Sequence, residues 1–457
     1  MKSYTGFVAR QLTNSTIEDS ELNQKEFLRR RRQLMRMIGK GGVAILPAAQ
    51  TRYRNRDVEY DFRQDSDFYY LTGFNEPEAV AVLAPGRAEG EFLLFCRERD
   101  PQQEIWHGKL AGTGDAVAEI GADDAFPIAD IDEILPGVIE QCERVHYSIG
   151  THPEFDQRLI GWITSLRDKS SSYDHRPDEF IALDHMLHDL RLYKSRAEIS
   201  AMRKAARITA RAHKRAMGMC RPGLYEYEIE AEFQHEFRRH DTRMAYLPIV
   251  GSGANSCTLH YISNNRQLQD GDLVLIDIGC EYENYASDVT RTFPVNGKFS
   301  TEQRVLYDLV LEAQNAALAA IAPGRHWNEP HEAAVKVVTR GLRDLGLLKG
   351  RLTTLIKDGA YRRFFMHRTG HWLGMDVHDV GDYKVADHWR LLEPGMVLTV
   401  EPGIYIAERS RGIAKRWWGI GIRIEDDVVV TRDGHDVLTK DLPRTAVDVE
   451  ALIGKAL

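Results

Sequence analysis

No apolar run in the chain reaches the roughly 18 residues that a membrane-spanning helix needs, so a conventional membrane anchor is excluded. The first 20 residues are polar and lack an apolar signal core, which places the expected location in the cytoplasm. Cysteine is scarce. Cys96, Cys142, Cys220, Cys257 and Cys280 are odd in number and show no CxxC spacing, which argues against a disulfide framework and leaves reduced, small buried thiols. A basic excess is missing too: 60 Lys and Arg stand against 68 Asp and Glu, a formal charge of −8, which argues against general nucleic-acid binding.

What is present is an ordinary globular composition, 43% apolar and 28% charged over 457 residues, enough for two domains with sizeable cores. Residues 1–21 read as a polar leader. Residues 22–190 read as an N-terminal α/β domain. A helical pattern around Phe27, Leu34 and Ile38 carries the run Arg29 to Arg32, expected to be a solvated face. The segments GGVAILPA (41–48), SDFYYLTGF (66–74), AVAVLAP (79–85) and EFLLFCRE (91–98) follow as strand-like stretches.

The second domain, residues 191–445, shows an order that recurs. Helical patterns at 196–218 and near 226–240 precede a strand pair carrying Asp277 and Asp288. Helical patterns at 302–321 and 328–346 precede strands carrying Glu401 and Glu425. This pattern implies an internal duplication about a pseudo-two-fold axis.

The acids sit where strands want apolar residues: Asp277 in LVLIDIG (273–279), Asp288 in YASDVTRTF (285–293), Glu401 in VLTVEPG (397–403) and Glu425 in GIRIEDDVVV (421–430). His371 stands in HRTGHWLG (367–374). An acid inside such a run needs a partner. Two carboxylates about 4 Å apart repel by roughly 4 kcal/mol at an effective dielectric near 20, so four in one pocket require cations. Two divalent ions would balance four carboxylates, with a neutral imidazole as fifth ligand. Taken singly each acid has a plainer reading: Glu401 before Pro402 could cap a turn, and Asp288 could pair with Arg291.

Longer motifs carry a family resemblance. DSDFYYLTGFNEPEAV (65–80), EIWHGKLAG (104–112), HWLGMDVHDVG (371–381), LEPGMVLTVEPGIYI (392–406) and GIGIRIEDDVVVT (419–431) are similar to segments of the pita-bread metallopeptidases. Within that group the chain resembles the aminopeptidase P family of Xaa-Pro aminopeptidases. The resemblance implies an N-terminal creatinase-like α/β domain, which controls the entrance and builds oligomers, followed by a catalytic pita-bread domain. It implies two divalent ions, Mn²⁺ by preference, with Asp277 on one, His371 and Glu401 on the other, and Asp288 and Glu425 bridging. Oxygen-rich ligation also favours a hard ion.

A metal-bridging hydroxide would then attack the N-terminal Xaa-Pro bond of peptides with proline in second place. Glu401 is the expected proton shuttle, with His260 and His378 around the scissile carbonyl and Arg423 orienting Asp277. His260, His367, His378, Tyr405 and Trp106 are the expected substrate contacts. Tyr405 and Thr290 are candidate supports for other ligands, and Tyr246 a weaker contact. The resemblance further implies a homo-oligomer, dimer or tetramer. Two departures stand near the pocket: Arg368 inside the His367 to His371 segment, and the Tyr246-Leu247-Pro248 stretch. The alternatives are a prolidase acting on Xaa-Pro dipeptides and a catalytically silent pita-bread interaction module.

Overall fold

The computed structural model describes residues 22–169 and 177–455; the expected polar leader lies outside the described residues. The first half is built on a six-stranded mixed sheet. Its order is Asp124–Pro127, Phe92–Cys96, Val80–Leu83, Gly42–Pro47, Arg144–His146 and Glu179–Ile181. Leu93, Phe95, Val82 and Val43 pack one face against the helices Ile131–Glu140 and Pro153–Lys169. Ala44, Ala81 and Leu94 pack the other face against Gln24–Ile38, Ser66–Thr72 and Asp184–Leu192. That second core runs on into Met202, Leu373, Val397 and Val429, so the two halves of the chain share apolar packing.

Two expectations are corrected here. SDFYYLTGF is not a strand: Asp65 accepts a hydrogen bond from the Phe68 amide at 2.9 Å and Gly73 closes the helix Ser66–Thr72 at φ 68°. The cap residues at both ends outweigh the strand preference of the aromatics between them. The Arg29–Arg32 run is a solvated face only at Arg29 and Arg32, since Arg30 and Arg31 are each only 1% exposed. Arg30 donates to the Tyr70 carbonyl and the Tyr285 hydroxyl and lies 3.5 Å from Glu198, while Arg31 donates to the Leu71 carbonyl. Both are tolerable inside because each finds acceptors, Arg30 across the domain junction and Arg31 on the Leu71 and Gly121 carbonyls of its own domain.

The second half repeats one scheme. Helix Arg196–Met219 starts on a capping box formed by Ser195 and Glu198, and packs with Glu226–Arg239 over the sheet Ile249–Ser252, Leu273–Asp277 and Thr290–Pro294. Helix Thr301–Ala319 starts on a capping box formed by Ser300 and Gln303, and packs with Glu329–Asp344 over the strands Val397–Val400, Gly403–Ile406, Ile420–Arg423 and Asp426–Val430. Each helix pair thus covers the outer face of its own strands. The inner faces turn towards one another, and the acidic residues stand there.

Candidate active site

Strand register decides which way the acids point. Asp277 ends Leu273–Asp277 opposite Thr290, and Asp288 stands two residues ahead of that partner. Glu401 directly follows Val397–Val400, and Glu425 lies between Ile420–Arg423 and Asp426–Val430. His371 occupies no regular strand; its neighbour Trp372 makes an isolated bridge to Leu398. The five side chains line one cavity of about 410 Å³ together with His260, His367, Arg368, His378 and Arg423. Ligating atoms of Asp288, His371 and Glu425 lie within 4.8 Å of one another, and His371 Nε2 is 3.8 Å from Glu401 Oε1.

A layer of polar groups fixes this set from behind. Arg423 donates through Nη2 to Asp277 Oδ2 at 2.5 Å, through Nη1 to the Tyr405 hydroxyl at 2.8 Å and through Nε to Thr290 Oγ1 at 3.0 Å. Thr290 in turn donates to Glu425 Oε2 at 2.6 Å. The Tyr246 hydroxyl lies 2.6 Å from both Asp277 Oδ1 and Asp288 Oδ1 and donates to one of them at a time. The buried Asp427 carboxylate accepts the Asp288 backbone amide with both oxygens at 3.2 Å. Sequence reasoning missed Asp427 and set Tyr246 only as a weak substrate contact. Strand parity was the signal for Asp427, which shares a face with Glu425. Tyr246 carries no such local mark.

The histidines divide by environment. His367 Nδ1 faces the Arg368 carbonyl at 2.7 Å, and its Nε2 meets the Tyr405 hydroxyl at 2.9 Å. Burial, then the Arg423 charge, pushes this imidazole down to about 3, so it is neutral; Nδ1 therefore donates and Nε2 accepts. His378 stacks edge-on to His371 at 4.3 Å, and burial lowers it too. His260 is exposed and lines the cavity. Two expected substrate contacts are not on the cavity wall. Tyr405 is 3% exposed and sits behind His367 and Arg423, holding both. Trp106 is 81% exposed on the short helix Pro101–His107, outside the cavity lining.

This donor set fits divalent cations. Asp277, Asp288 and Glu425 are buried, and among the described residues Arg423 is the only arginine or lysine that hydrogen-bonds any of the four carboxylates. With protein groups alone, burial followed by the charges of Asp288, Glu401 and Asp277 drives the Glu425 carboxyl well above its ordinary range. Burial likewise lifts Glu401 to about 7 against the opposing charges of His371 and Arg423. Burial would lower His371, yet its contact with Asp288 and the charge of Glu401 push it to about 9. Carboxylates crowded until they hold protons mark a site that wants positive charge. Four carboxylates and an imidazole are the ligands of hard or borderline divalent ions, not of thiolate-bound zinc.

Residues 200–432 match the model of metallopeptidase family M24, and residues 27–147 match that of the aminopeptidase P N-terminal domain. The chain therefore belongs to metallopeptidase family M24, and its fold is the pita-bread fold with an added N-terminal domain. Within that family it stands among the Xaa-Pro aminopeptidases. An Xaa-Pro aminopeptidase of Escherichia coli (strain K12) is 45% identical over 95% of this chain and 98% of its own length. Xaa-Pro aminopeptidase 3 of Homo sapiens is 36% identical over 95% of this chain and 87% of its own. The solved structure of an aminopeptidase from Pseudomonas aeruginosa superposes with a TM-score of 0.94 at 58% identity, covering 95% of this chain and 99% of that one. The chain is an enzyme, a metallo-aminopeptidase.

Proposed function

We propose that this enzyme removes the residue preceding proline from peptide N-termini, using two Mn²⁺ ions held by Asp277, Asp288, His371, Glu401 and Glu425. The convergence of these five groups in one cavity supports the reading most directly. When bound, the ions compensate the carboxylate charge and activate water at neutral pH as Lewis acids. Glu401 takes the proton from the attacking water and passes it to the departing proline nitrogen. His378 and His260 donate to the oxygen of the scissile carbonyl as it gains charge. Neutral His367 forms the wall for the proline ring, kept in one tautomer by the Arg368 carbonyl at Nδ1, with Tyr405 at Nε2. Arg423 holds Asp277 and, through Thr290, Glu425.

The enzyme acts in the cytoplasm as a homo-oligomer, a dimer or tetramer. The adjacent exposed side chains of Ile105 and Trp106, 80% and 81% accessible, support a covered face on the N-terminal domain. The deciding experiment uses matched Xaa-Pro-Xaa tripeptides and Xaa-Pro dipeptides with chelated and Mn²⁺-reconstituted enzyme. Tripeptide hydrolysis should vanish on chelation and return with Mn²⁺, and Glu401→Gln should lose at least about 10²-fold in kcat while remaining folded. Dipeptide preference would identify a prolidase instead, and a fully active Glu401→Gln enzyme would sink the shuttle role.

A further inference from the structure

His378 reaches the cavity from a segment, residues 374–379, that is neither helix nor strand. What holds this segment comes from outside the catalytic strands. Asp379 is buried, and its two carboxylate oxygens take Arg191 Nη2 and Lys194 Nζ, each at 2.7 Å. Arg191 Nη2 also donates to Asp376 Oδ2 at 2.7 Å, and its Nη1 to Asp67 Oδ1 at 2.8 Å. Asp376 Oδ1 accepts the Ser66 hydroxyl at 2.7 Å. Ser66 and Asp67 open the helix Ser66–Thr72 of the N-terminal domain, and Arg191 lies at the end of Asp184–Leu192, next to the junction. One guanidinium, 3% exposed, therefore ties three carboxylates from both halves of the chain.

The packing leaves this segment no slack. A Cβ at Gly374 would stand 2.1 Å from Asp379 Oδ2 and 2.9 Å from Lys194 Cε. Stability alone is a poor account of the cluster, because buried ion pairs replaced by apolar side chains are often equally stable. A network with fixed donor directions instead specifies where its members stand. Asp376 and Asp379, the clamped pair, bracket His378.

We propose that Arg191 and Lys194 are positioning residues for the reaction: by clamping Asp376 and Asp379 they hold His378 at the substrate, and they make that placement depend on the docked N-terminal domain. The inference rests on the role given to His378 above. A lysine at position 191 keeps the charge but presents one point of contact where the guanidinium serves three. Displacing a substrate-positioning group by about 1 Å costs up to about 10²-fold in rate.

The test uses the full-length, Mn²⁺-reconstituted enzyme and an Xaa-Pro-Xaa peptide. Arg191→Lys should lower kcat by about 10- to 100-fold with KM changed less than about threefold. Amides of residues 374–380 should exchange with deuterium faster, at unchanged metal content. Asp376→Asn removes a carboxylate whose side chain is 42% exposed, so it spares the core and should move kcat and exchange in the same direction by less. It carries the test if Arg191→Lys does not fold. Folded variants with wild-type kcat and protected 374–380 amides, or with only a lower melting temperature, would overturn the proposal while leaving the functional reading intact. A wild-type chain inactive on Xaa-Pro-Xaa peptides would overturn both.

Discussion

Tyr246 shows how much one hydroxyl can do. It stands between two carboxylates that repel each other, and its proton serves either of them. Removing it leaves Asp277 and Asp288 further from the geometry in which both face a cation. Supporting contacts of this kind are worth about 10- to 100-fold in metal affinity. Tyr246→Phe should accordingly weaken Mn²⁺ binding by about 10-fold in a chelator competition and keep the fold; an unchanged chelator midpoint would show that the hydroxyl is idle. The four acids that line the cavity were legible residue by residue, because an acid in an apolar strand announces itself. Tyr246 was not, because an aromatic two residues ahead of a proline fits core, turn or site equally well. Arg368 stands between these cases. Its departure from the family form was visible, yet only the structure shows its guanidinium 4.9 Å above the Trp389 ring and donating to Asn328 at 2.5 Å, beside the cavity.

At the scale of elements, the site depends on how closely strands and loops approach. Gly279 follows the strand that ends in Asp277, and a Cβ there would meet the Ser287 carbonyl oxygen at 1.7 Å, one residue before Asp288. Neither backbone can yield without moving a ligand. Gly279→Ala should therefore cost about 3 kcal/mol in stability and separate Asp277 from Asp288. Denaturant melts and metal titration would check it, and wild-type values in both would refute the close approach. The helices of the second half were readable, since their apolar period and their Ser195–Glu198 and Ser300–Gln303 capping boxes are local signals. Ser66–Thr72 was misread because the aromatics Phe68, Tyr69 and Tyr70 resemble a strand until the caps at Asp65 and Gly73 are weighed.

Across the whole molecule, buried titratable groups couple stability to pH. His213, in the helix Arg196–Met219, is wholly buried edge-on to Phe233 with ring centres 4.8 Å apart. Burial, then the Arg291 charge, pushes it down to about 3. Below the ordinary imidazole value of 6.5 the unfolded chain binds a proton that the folded chain refuses until about 3. Its contribution is therefore intact above that ordinary value and is lost as the pH falls towards the folded one. Between about pH 6.5 and 5 the loss amounts to roughly 2 kcal/mol. His213→Leu should flatten the fall in stability over that interval, measured by denaturant melts; an unchanged pH slope would refute it. The domain junction works at the same scale. Arg30 ties Tyr70 to Tyr285, which lies 255 residues from it in sequence, and Arg191 spans Asp67 and Asp379.

By itself the amino-acid sequence determined the ligand chemistry, the family and the recurring helix–strand order, because side-chain alternation in strands, the 3.6-residue helical period and capping residues act over a few positions. The tertiary structure alone decided that Arg30 and Arg31 are buried, that Trp106 lies outside the cavity, that Tyr405 stands behind His367 and Arg423, that Tyr246 meets Asp277 and Asp288, and that Arg191 pairs with Asp376 and Asp379. Those outcomes depend on which charges and hydroxyls meet across long stretches of chain. A buried polar group's partner is set by packing, and packing is not a local property of sequence.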